Sequence, residues 1–269
     1  MIRKCSLLLA AGIASALAAE HGTMDWADVE GRIQYAYYTE DTRALNSALV
    51  SLKPKPAEDK DEAAKEDVST RKYFEALTHY RVAQVLATSN KSKAKDAIDD
   101  CGDAVDQSVA ALPKVMLGLD ETDQSKHKRA EAYALGTACT LAGREMSTIN
   151  LPFSGGRMGS HIEEAVKLEP RNPRVKLVEA LVAFDRAGKD AAAKSAALQK
   201  LRAVTQMFEA ARAGASSTPE WGAAEAYAFL GRALLEQHDA VGAREALERS
   251  LLVAPDYTFA KRLMAQITR

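Results

Sequence analysis

Between Ala224 and Tyr257 the small and large residues fall in an order that constrains the fold more than any other part of the chain. Tyr227, Leu230, Gly231 and Leu234 mark a first helix, Ala243, Leu247 and Ser250 a second, and Pro255 the exit. A glycine beside a leucine lets two helix backbones approach closely. The small side chains of Ala243 and Ser250 leave room for bulky neighbours to pack between the helices.

Counted from Ala224, the segment fills 34 positions and resembles a tetratricopeptide repeat. The run Glu169, Pro170, Arg171, Asn172, Pro173, Arg174 and the later Pro219, Glu220, Trp221, Gly222 resemble envelope-associated tetratricopeptide proteins of Gram-negative bacteria. The resemblance covers roughly residues 150 to 260. It implies an all-α fold, a right-handed solenoid of about five antiparallel helix pairs with a C-terminal capping helix. It also implies a scaffold that binds a partner.

Reading backwards from the clear repeat, apolar periodicity and caps predict further helices. Arg174 to Phe184 follows Asn172 and Pro173 and carries Ala180 at a close-approach position; its partner runs from about Asp190 to Arg212. Met158 to Leu168 carries Ile162 and Ala165 and ends at Pro170; it pairs with Ser125 to Met146. In that first helix Tyr133, Leu135 and Gly136 echo Tyr227, Leu230 and Gly231. Thr70 to Ala87 pairs with Ser92 to Ala111, and Trp26 to Tyr38 with Thr42 to Leu52. Residues 20–52 thus read as an N-terminal pair, 53–69 as a charged loop after Pro54 and Pro56, and 70–269 as the main helical body. Within it, 257–267 reads as a cap, with Phe259, Leu263, Met264 and Ile267 on one face.

The N-terminus carries a second signal. Arg3 and Lys4 precede an apolar run from Cys5 to Ala19 that contains the small-x-small tripeptide Ala16, Leu17, Ala18. That order reads as a secretory signal peptide over residues 1–19, cut near Ala19. The run is short for a bilayer span, so no retained membrane anchor is expected and the mature chain is expected to be periplasmic or secreted. Loss of Arg3 and Lys4 takes the formal charge from −1 to about −3, too little to favour nucleic acid or anionic lipid. Hydrophobic residues make up 47% of the chain but aromatics only 6%, so the core must be built largely from alanine and leucine. Cys101 and Cys139 remain after processing. They are either a disulfide or two separate buried thiols, since spacing alone does not show that their Cα atoms come within bonding reach.

No catalytic constellation emerges, and no cofactor or metal is expected. His21, His79, His127, His161 and His238 stand singly, without the spacing that puts two ligands on one helix face. Ser-x-x-Lys at Ser69 to Lys72 and at Ser125 to Lys128 lacks the companion motifs of a serine nucleophile. The glycines of Pro152 to Ser160, around Arg157, lack the lysine and hydroxyl order of a nucleotide loop and read as a hinge. Asp96, Asp99, Asp100 and Asp103 read as a solvated helix face, and Trp221 as a packing residue.

Function therefore rests on the groove that the repeat resemblance implies. Carried position by position, it nominates Glu225, Ala228, Arg232 and Leu235 in the clear repeat. It nominates Arg174, Leu177, Leu181 and Phe184 in the preceding repeat, and Tyr133, Thr137 and Thr140 in the weaker one. Arginines flanking apolar side chains suit an extended protein or peptide segment. The competing expectation is a small-ligand-binding accessory of an envelope transport system.

Overall fold

The computed structural model describes residues 24–53, 62–113, 121–146, 154–212 and 220–267. Eleven α-helices make up their regular structure, with no strand among the described residues. They are α1 (Trp26–Tyr38), α2 (Thr42–Ser51), α3 (Glu62–Leu86), α4 (Lys91–Ala111), α5 (Asp123–Met146), α6 (Ser154–Leu168), α7 (Pro173–Ala187), α8 (Ala191–Arg212), α9 (Ala223–Glu236), α10 (Ala240–Val253) and α11 (Thr258–Ile267). The expected leader at 1–19 lies outside the described residues.

Short polar side chains fix most of the helix starts by accepting free N–H groups of the first turn. Asp25 accepts from Ala27 and Asp28, Asp41 from Ala44, Asn90 from Lys93, Asp190 from Ala192 and Ala193, and Asp239 from Gly242. Asn172 accepts from Arg174 and Val175, with Pro173 preset at the first helical position. Glu40 and His238, just beyond α1 and α9, turn the chain with φ of +56° and +61°, the left-handed region that stops a helix.

Two expected boundaries need correction. The charged loop expected over 53–69 is helical from Glu62 onward, because Ala63, Ala64, Lys65 and Glu66 are strong helix formers that extend α3 without requiring an apolar face. The glycine hinge expected at 152–160 enters α6 at Ser154. Glycine weakens a helix without forbidding it, and buried Ile162 and Ala165 anchor this one. A Cβ at Gly159 would lie 3.3 Å from Arg186 Nη2, so the missing side chain makes room for α7. The side chain of Arg157 lies outside the described residues.

Each even-numbered helix from α2 to α10 folds back on the helix before it, and α1, α3, α5 and α7 also touch in sequence; α11 covers α9 and α10. α1, α3, α5 and α7 thus form one layer, with α2, α4, α6 and α8 packed against it. Small residues set the spacing between layers. A Cβ at Gly231 would sit 2.7 Å from Leu247 Cγ, and Ser250 donates to the carbonyl of Ala224 at 2.8 Å, so α9 and α10 lie nearly in backbone contact. Between α4 and α5 the same part is taken by Gly136, whose Cβ would meet Val105 Cγ1 at 3.0 Å. One turn away Cys101 and Cys139 are joined in a disulfide with Cα atoms 6.4 Å apart. The alternative left open by the sequence is thereby resolved. The layer curves until α1, at one end, meets α9 and α11 at the other.

Candidate functional site

The inner surface divides into a filled half and an open half. Two arginines, half-buried Arg174 and fully buried Arg81, organise the filled half. Arg174 of α7 donates to Glu30 of α1 at 2.9 Å, Glu131 of α5 at 3.2 Å, Glu220 at 3.1 Å and the carbonyl of Trp221 at 3.1 Å. Glu131 also accepts from Asn172 at 2.6 Å and from the Tyr73 hydroxyl at 2.9 Å, and that hydroxyl accepts from the Trp221 indole at 2.8 Å. Glu30 accepts in addition from the backbone N–H of Trp221 at 3.0 Å. Burial pushes the Glu30 carboxyl above the usual range, and Arg174 only partly offsets it. Burial acts on Glu131 too, but Arg174 and the hydrogen bond from Asn172 outweigh it and hold that carboxyl low.

Arg81 of α3 organises the second cluster. It donates to Gln34 of α1 at 3.0 Å and Gln84 at 2.7 Å, and forms an ion pair with Glu225 of α9. Its guanidinium lies 4.1 Å from the centre of the Tyr37 ring. Glu225 further accepts from Gln34 at 2.9 Å, Tyr38 at 3.1 Å and the N–H of Gly222 at 2.9 Å. Gly222 has φ +111°, and a Cβ there would strike the Phe208 ring at 2.6 Å, so the close turn before α9 requires glycine. Burial opposes the charge on Arg81, but Glu225 and the surrounding tyrosines outweigh that cost. The indole of Trp221 lies between the two guanidinium groups, at 5.3 Å from Arg174 and 5.7 Å from Arg81.

The open half is a cavity of about 530 Å³ where the C-terminal ends of α1, α3, α5 and α7 converge against α9 and α11. Its floor is low because Ala83, Ala138 and Ala142 carry only methyl groups. Its walls are aromatic, with Tyr80, Phe184, Phe229, Tyr257 and Phe259. Its mouth is charged but balanced: Arg232 pairs with Glu145 at 3.3 Å, Lys194 with Glu236 at 3.1 Å, and Arg262 with Glu40. Lys194 and Arg232 also lie 5.2 and 5.1 Å from the ring centres of Phe184 and Phe229. Tyr37 and Tyr257, whose hydroxyls are hydrogen-bonded at 2.8 Å, close the inner end, and burial pushes both phenols up, Tyr37 to about 12.

Of the groove residues nominated from sequence, Leu181, Phe184 and Arg232 line this cavity. Arg174 and Glu225 lie in the filled half, held by internal ion pairs. Leu177, Thr137 and Ala228 are buried, and Leu235 packs partly buried against the core. Thr137 and Thr140 donate back to the carbonyls of Tyr133 and Gly136, and the Tyr133 ring packs on His161 at 5.0 Å. The cavity adds residues that the sequence reading did not nominate, chiefly Tyr37, Tyr80, Phe229, Tyr257, Phe259 and Arg262. The rarity of the five aromatics among them, in a chain with 6% aromatics, was a usable signal, but it does not reveal that three distant segments share one wall. Asp96, Asp99, Asp100 and Asp103 are exposed, and Trp221 is buried.

Among the described residues no three His, Cys, Asp or Glu side chains converge as metal ligands, and no helix is long and apolar enough to cross a membrane. Compared with known proteins, the chain matches no family model and no curated sequence.

Proposed function

We propose that the protein is a secreted or periplasmic, non-catalytic binding protein, a right-handed solenoid of about five tetratricopeptide-like helix pairs capped by α11. It takes a short apolar segment of a protein or peptide partner into the cavity on its inner surface. The observation that carries this reading is an aromatic wall beneath a charge-balanced mouth. Apolar rings supply area to bury, while each mouth cation of the three pairs already has its anion, so no strongly acidic or basic ligand is favoured. Rigid helices carry the wall, which keeps the ordering cost of binding small on the protein's side. The disulfide supports an oxidising compartment.

A photo-crosslinking benzoyl-phenylalanine in place of Phe184, with a second at exposed Glu248 as control, tests the reading in an envelope extract. The expected result is a protein-sized adduct from position 184 only, lost when Ala142→Trp fills the cavity while helical circular dichroism is retained. An adduct that survives the filled cavity refutes the site.

A second reading is favoured by the cavity volume, about 530 Å³, which lies within the range of pockets for small organic ligands. Native mass spectrometry separates the two: a bound mass of a few hundred daltons, lost in Ala142→Trp, selects the small ligand.

A further inference from the structure

We infer that the cavity is gated by the seam between α1 and the α9–α11 end of the chain, which parts to admit the occupant and closes over it. The inference rests on the cavity being the binding site.

The cavity straddles that seam. Tyr37 and Glu40 form its wall on the α1 side, and Tyr257, Phe259 and Arg262 form the opposite wall. The main packing of α1 is on α2 and α3, whereas its link to the far end of the chain consists of side-chain contacts across about 190 to 220 residues. In a stack of hairpins each unit leans on its neighbours in sequence, so contacts between first and last elements are additional to those that hold the stack. Beyond Tyr37 and Tyr38, which pack on the Tyr257 ring at 5.4 and 4.7 Å in a buried cluster, they can break while the hairpins keep their packing.

The seam is also graded in strength. At its inner end Glu30 meets Arg174 and the N–H of Trp221, with the Glu30 and Arg174 side chains only 11% and 14% exposed, and Gln34 meets Arg81 and Glu225, all three deeply buried. At its outer end, on the cavity mouth, the closing pair is Glu40 with Arg262, whose side chains are 32% and 53% exposed. An exposed ion pair contributes little, whereas buried charges left without partners cost much. The outer end is therefore the part that opens, with the inner networks as its hinge. Glu40 is suited to this place, since its left-handed φ of +56° fixes it in the tight turn between α1 and α2. An occupant touching both walls binds the closed form better than the open form, and so shifts the population towards closure.

The test uses the full chain carrying Cys5→Ser, with spin labels on cysteines introduced at exposed Arg43 and Gln266; Cys101 and Cys139 are bonded to each other and take no label. Pulsed electron resonance is expected to resolve a major short and a minor long distance. Glu40→Arg, which sets like charges against each other at Arg262, enriches the long distance several-fold, and adding Arg262→Glu restores the original ratio. Nile red, a neutral apolar dye used here as the probe, is expected to bind one site, to be lost in Ala142→Trp, and to deplete the long distance. A single distance unmoved by both Glu40→Arg and the dye overturns the gate while leaving the pocket in place. Dye binding that persists in Ala142→Trp overturns the pocket itself, and the gate with it.

Discussion

Replacing Arg81 by methionine tests the account of the inner networks most directly. The guanidinium is 1% exposed and its partner Glu225 2%, so the substitution leaves a carboxylate sealed from water without its counter-charge. Breaking a buried pair from one side costs about 3–5 kcal/mol. Glu225 would keep its hydrogen bonds from Gln34, Tyr38 and the Gly222 N–H, which places the expected loss near the lower limit, about 3 kcal/mol, or roughly a hundredfold in the folding equilibrium. Urea unfolding followed by far-ultraviolet circular dichroism measures it, provided the slope against denaturant is unchanged. One control isolates the cause. The double variant Arg81→Met/Glu225→Gln removes the stranded charge and is expected to recover to within about 1 kcal/mol of the parent. A loss below 1 kcal/mol, or a double variant as unstable as the sum of its parts, would refute the reasoning.

Gly231→Ala is expected to destabilise by about 1–2 kcal/mol despite alanine's better helix propensity, because the new methyl meets fully buried Leu247 at 2.7 Å and the Ala243 carbonyl at 3.3 Å; thermal unfolding checks the sign. Glu30→Gln and Glu131→Gln are expected to diverge with pH. The raised Glu30 carboxyl contributes stability below its unfolded value that is lost as pH rises through its folded one, so Glu30→Gln gains on the parent in that direction. The lowered Glu131 carboxyl contributes above its unfolded value and loses as pH falls, so Glu131→Gln is worst at neutral pH and approaches the parent in acid; stability curves from pH 3 to 7 read both. Cys101→Ser/Cys139→Ser is expected to lose about 4 kcal/mol, the loop entropy of a bridge spanning 38 positions, with little loss of helix signal before unfolding.

The leucine, glycine and alanine spacing from Tyr227 to Ser250 contained the close packing of α9 on α10, and the cap at Asn172 contained the start of α7. These are local matters: a cap acts within one turn, and a missing Cβ determines how near one neighbouring backbone can come. The start of α3 was obscured because its first turn carries helix-forming residues without an apolar stripe, so periodicity was silent there. Of the residues lining the cavity, Leu181, Phe184 and Arg232 had been nominated through the repeat resemblance, whereas Tyr37, Tyr257 and Arg262 had not.

The sequence by itself determined that the chain is all-α, where most of its helices lie, and which small residues draw neighbouring helices together. Only the tertiary structure decided that Arg174 and Glu225 are spent on internal partners, that Cys101 and Cys139 are joined, and that the inner surface ends in a cavity closed by the first and last helices. The physical reason is accumulation. Many helix packings lie between the two ends of the chain, and no single position encodes their sum, which brings Glu30 and Tyr37 of α1 to Trp221 and Tyr257, 191 and 220 residues away.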